Sequence, residues 1–180
     1  MRAILGLLVL ARAAAADCDQ PQCFAIRLHV VPNTRSEFLD DELAGANRRF
    51  ALIDVGWHVD SIDEVPASFA HVETRAQRDA IATGRLGGAG VDVFVVDQLD
   101  DIDEPGRIYG VTWHRHDGKR YAIVSAEALE RTLAHELGHV FGLQHSSYDS
   151  IMNPDLPASR ERMFAPEELA ILRRRLVNKR

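Results

Sequence analysis

Two cysteines in 180 residues are too few for a disulfide scaffold, so a hydrophobic core must carry the fold. Beyond the N-terminus no apolar run is long enough to cross a bilayer, which excludes a membrane bundle and a later membrane anchor. No basic stripe interleaved with aromatics is present. The net charge is −6, and the run Arg173 to Arg175 reads as a solvated helix end, so nucleic acid is not an expected partner. Internal repeats and interdomain linkers are also missing, which leaves one domain and predicts a monomer. What remains is 46% hydrophobic and 27% charged, the balance of an ordinary globular chain.

The N-terminus has the layout of a secretory signal peptide: Met1-Arg2, an apolar run from Ala3 to Ala11, then Arg12 and an alanine tract. Small residues fit cleavage after Ala13 or Ala16. Residues 1–16 are taken as the signal and 17–180 as the mature domain, secreted or periplasmic. In an exported chain Cys18 and Cys23 are expected to pair. Left unpaired, either could lie temporarily on a metal and keep it latent.

Residues 24 to 31 alternate toward a strand ending at Pro32, and a helix capped by Thr34 or Ser36 follows to about Phe50. A strand within 51–65, a short helix over 74–83 and a glycine-rich loop over 84–90 come next. Val91 to Val96 is a β-branched strand. Arg107 to Arg115 and Tyr121 to Val124 flank an Asp117-Gly118 turn as a hairpin. Leu129, Leu133, Leu137, Val140 and Phe141 form the stripe of a helix over 126–141, with Ser125 as its cap and Glu127 and Glu130 at its positive end. A last helix spans 165–177, with Pro166 in its first turn. The fold class is α+β, a twisted mixed sheet of about five strands with the helix over 126–141, which carries the candidate site, and a C-terminal helix.

Chemistry concentrates in the helix over 126–141. His135 and His139 are four residues apart, so they share a helical face and can meet one ion. Gly142 can stop the helix in a left-handed conformation and return His145 as a third ligand. Three neutral imidazoles leave one position for water, the arrangement of a catalytic zinc. Glu136, beside the first ligand, is placed to take a proton from that water. His114 and His116 alternate along a strand and form a weaker candidate for a second metal pair. Asp97, Asp100, Asp101, Asp103 and Glu104 form an acidic segment that either stays solvated or takes calcium.

His135 to His145, followed by Ser150-Ile151-Met152-Asn153-Pro154, resembles the metzincin clan of zinc peptidases, with its long histidine motif and methionine turn. Ser146 after the third histidine and Pro154 after Met152 look most like the matrixin branch. The resemblance implies that Met152 forms a floor beneath the imidazoles. It also implies that substrate lies along an edge strand within 107–115, and that Arg131 and residues 153–156 border the pocket just past the cut bond. The matrixins' propeptide switch, their accessory modules and a close match to their structural zinc and calcium loop do not occur in this sequence.

The expected function is a secreted zinc endopeptidase acting on protein or peptide substrates, through a zinc-bound water activated by Glu136. A metal-loaded binding or inhibitory module without turnover is the alternative. An intact Glu136 is the residue that separates the two.

Overall fold

The computed structural model describes residues 18–157 and 161–177; the signal segment lies outside them. Seven strands and four α-helices follow one another: β1 (Gln22–Val30), α1 (Ser36–Phe50), β2 (Val55–Glu64), β3 (His71–Val72), α2 (Arg75–Ile81), β4 (Val91–Val96), β5 (Gln98–Leu99), β6 (Gly110–His114), β7 (Arg120–Ser125), α3 (Thr132–Val140) and α4 (Pro166–Leu176). The main sheet has the order β2-β1-β4-β7-β6. Its first four strands run parallel, and β6 pairs antiparallel with β7 at the edge. No helix among the described residues is long and apolar enough to cross a membrane.

Every residue of β4 is buried, because both sheet faces are covered and a central parallel strand then needs apolar groups on both sides. Val91, Val93 and Val95 face one core with Ala122 and Val124 of β7, under α1, α3 and α4. Phe94 and Val96 face a second core with Tyr121 and Ile123, under α2. The two-residue period of the strands thus sorts one sequence run into two cores.

Several boundaries differ from the sequence reading. Arg35, not Thr34 or Ser36, holds the cap position of α1 and makes no side-chain cap bond; the Thr34 hydroxyl donates instead to the Val31 carbonyl. The edge strand starts at Gly110 rather than Arg107. Residues before it pair elsewhere: Arg107 bridges Asp100, and the Ile108 N–H donates to the Leu99 carbonyl. The largest change is α3, which begins at Thr132 and not near Ala126. Ala126 still continues the sheet by donating to the Val96 carbonyl, and the Ser125 hydroxyl accepts from Glu127 N–H without capping a helix. Here the apolar stripe extends further back than the helix does. The sheet β3–β5, two residues per strand, was not foreseen.

Candidate metal centre and cleft

α3 carries His135 and His139 on one face, and Gly142 at φ 86° turns the chain after it. His145 comes back to join them. One donor atom from each of the three histidines lies within 4.8 Å of the others, and the Nε2 atoms of His135 and His139 are 3.0 Å apart. Each Nδ1 is already engaged: that of His135 meets the Ile151 carbonyl at 2.6 Å and that of His139 meets the Leu143 carbonyl at 2.9 Å. Donation to those carbonyls fixes the tautomer, leaving both Nε2 lone pairs turned toward each other.

Two facing lone pairs at that distance repel unless a cation stands between them. A proton is a poor candidate, because burial pushes His135 down to about 4 and burial also lowers His139. The donor set therefore fits zinc: neutral nitrogen ligands, oriented by second partners, with His145 exposed on the cleft side.

Glu136 leaves the helix toward the edge strand. The Thr112 hydroxyl lies 2.9 Å from its Oε2 and 2.8 Å from its carbonyl, sharing one proton between them. Burial pushes the Glu136 carboxyl up to about 8, against the opposing pull of Thr112. Thr112 and Gly110 face α3, while Val111 and Trp113 pack against the second core on the other side of the strand. A Cβ on Gly110 would stand 2.7 Å from Glu136 Oε1 and 2.7 Å from Thr132 Cγ2. Glycine at 110 therefore lets the edge strand close onto the glutamate.

Met152 is fully buried. A Cβ on Gly138 would fall 2.8 Å from its sulfur, so the glycine inside the motif lets the methionine pack against α3. Glu168 of α4 holds this turn in place. Its Oε1 accepts from the hydroxyls of Ser146 at 2.6 Å and Ser150 at 2.9 Å, and its Oε2 from the Ala165 N–H at 2.8 Å. Ser146 N–H in turn donates to the Met152 carbonyl. At the other end of α3, Glu42 of α1 accepts from the Leu133 N–H at 2.6 Å.

A cleft of about 640 Å³ runs past Glu136, the three histidines, β6, and a wall containing Arg78 and Asp103. The three expected ligands and Glu136 are thus brought together. The other expected sites are not. His114 and His116 belong to no group of three potential ligands among the described residues. Of the five acidic residues expected around calcium, only Asp100 joins such a group. Asp101 Oδ1 instead accepts from the Asp103 N–H, and Asp103 pairs with Arg75 at 2.6 Å. Cys18 and Cys23 form a disulfide rather than a latency ligand.

Thr112, Gly110, Glu42 and Glu168 were missed by sequence reasoning. Glu168 carried a partial signal, an acid at the third position of a proline-started helix. Nothing in the sequence indicates that it reaches Ser146 and Ser150.

The family model of the matrixins matches residues 57–168. The chain belongs to the matrixin family. The fold also matches the crystal structure of archaemetzincin from Methanopyrus kandleri, with a TM-score of 0.60 and 19% identity over 85% of this chain and 95% of that one. At that identity the likeness concerns the fold alone. A search among curated proteins returns no match. Family and fold are those of zinc metallopeptidases, and in this matrixin the histidine motif and the edge strand line one cleft.

Proposed function

We propose that this matrixin is an exported, monomeric, zinc-dependent endopeptidase whose ligands are His135, His139 and His145 and whose general base is Glu136. The observation that carries the reading is the convergence of paired Nε2 lone pairs on one point, with a buried carboxylate one residue away. A zinc ion held there supplies a Lewis acid that polarises a carbonyl and acidifies water.

The chain's own groups do the rest. β6 offers the free edge of the sheet, where an extended peptide adds as a further strand through backbone hydrogen bonds that carry little sequence information. Thr112 holds the Glu136 carboxylate against that edge. Glu136 accepts a proton from the attacking water and returns it to the leaving amine nitrogen. Export is supported by the signal layout of residues 1–16 and by the Cys18–Cys23 disulfide, a bond that persists in oxidising compartments.

Gelatin zymography with and without a chelator tests the activity, and N-terminal sequencing of the exported protein tests removal of residues 1–16. A clearing band abolished by chelator and restored by zinc is expected. A metal-loaded, folded protein that never clears the gel would favour the binding module.

A further inference from the structure

Sheet β3–β5 is held by only two residues on each side, His71↔Gln98 and Val72↔Leu99. So short a ladder has few hydrogen bonds with which to fasten the cleft wall above it. Beside it three donors gather. His71 and Glu73 are two apart along extended chain and project to the same side, and Asp100 follows the facing strand. One donor atom of each lies within 4.8 Å of the other two.

The contacts among them are unfinished. His71 Nε2 stands 3.0 Å from Asp100 Oδ1, yet that nitrogen is shielded from water and has no hydrogen-bond partner. Nδ1 is 3.8 Å from Glu73 Oε1, too far for a hydrogen bond. Nε2 thus faces a carboxylate at ion-pair distance without a hydrogen bond to it.

We propose that His71, Glu73 and Asp100 form a second divalent-cation site that takes zinc. Ligands about 2.0–2.1 Å from a tetrahedral zinc lie roughly 3.3 Å from one another; His71 Nε2 and Asp100 Oδ1 are 3.0 Å apart, and one donor atom of each of the three residues lies within 4.8 Å of the others. Two carboxylates balance the dication, and the imidazole nitrogen favours zinc over calcium or magnesium, which select oxygen. The three side chains are 30 to 55% exposed, which leaves an entry path and room for water as a fourth ligand.

The site braces the cleft and takes no part in hydrolysis. Asp100 N–H donates to the Val72 carbonyl, and the Asp100 carbonyl accepts from Arg78 Nη2 at 2.7 Å. Arg78 and Asp103 line the cleft, so a cation on Asp100 fixes the wall that substrate passes.

The test is zinc content per chain of the mature protein, loaded with zinc and dialysed, for wild type, His71→Ala, Glu73→Gln and His139→Ala, each checked for folding by circular dichroism. Two zinc ions in the wild type and one in each variant are expected. Zinc should also slow amide exchange over residues 97–109 in the wild type and His139→Ala but not in His71→Ala. Glu73→Gln, nearly isosteric, keeps the test valid if His71→Ala fails to fold. One zinc in the wild type, retained in His71→Ala and Glu73→Gln and lost in His139→Ala, overturns the second site and leaves the catalytic centre standing. One zinc lost in His71→Ala and retained in His139→Ala would instead support the second site and remove the catalytic one.

Discussion

Gly110 and Thr112 set the position of one carboxylate. Because a methyl group at 110 would press on both Glu136 and Thr132, Gly110→Ala should displace the base while leaving the histidines in place. Peptide hydrolysis is expected to fall on the order of 10²-fold, the cost of roughly 1 Å of misplacement, with zinc content unchanged. Thr112→Val keeps the shape and deletes the hydroxyl. Losing that bond to a buried carboxylate should cost about 1–3 kcal/mol, read as a roughly 5- to 150-fold fall in kcat/KM. Arg131 poses a separate question. Glu127 pairs with Arg107 and Glu130 with Arg48. If Arg131 borders the pocket past the cut bond, Arg131→Ala shifts a peptide-library profile toward larger apolar residues or away from acidic ones. An unchanged profile would remove it from specificity.

At the scale of elements, α3 is fastened at both ends. Burial pushes Glu42 up to about 8, and the Leu133 N–H and Arg49 pull it back only in part. A carboxyl whose folded pKa lies above its unfolded value of 4.5 stabilises the folded state fully at low pH and loses that contribution as pH rises toward 8. His29 acts in the same direction. Although burial opposes it, hydrogen bonds to Asp92 and Asp63 hold it above 6.5, so its contribution fades as pH climbs past its folded pKa. Glu42→Gln keeps an acceptor for Leu133 and removes the charge. Its Tm relative to wild type should therefore rise between pH 5 and 8 as the wild type weakens, by about 2–4 °C per kcal/mol recovered. A constant difference across that range would contradict the assignment. Gly142→Ala attacks the other end. A left-handed alanine costs about 1–2 kcal/mol, and its Cβ meets the Arg175 side chain, so both stability and zinc occupancy should drop.

Over the whole molecule, what the sequence revealed and what it hid divide along contact range. The grouping of His135, His139 and His145 beside Glu136 was readable because helix periodicity and one glycine set their spacing within a short stretch of chain. The β4 strand and the β6–β7 hairpin were readable for the same reason. Thr112, Glu42 and Glu168 act across tens of residues, and no local pattern marks such contacts. The early start expected for α3 failed because Leu129 keeps helical phase although the chain leaves the sheet at Ala126 and runs as turns up to Thr132, and α1 packs so closely there that Gly45 has no room for a Cβ against the Glu130 carbonyl. The Cys18–Cys23 disulfide encloses so few residues that its removal should cost only about 2 kcal/mol by chain entropy. The central claim, one metal centre served by one carboxylate, meets its most direct test in Glu136→Gln. Cleavage of a quenched peptide should fall at least about 10²- to 10⁴-fold relative to wild type, while the triad keeps its zinc. Hydrolysis at the wild-type rate by the zinc-loaded variant would contradict the account.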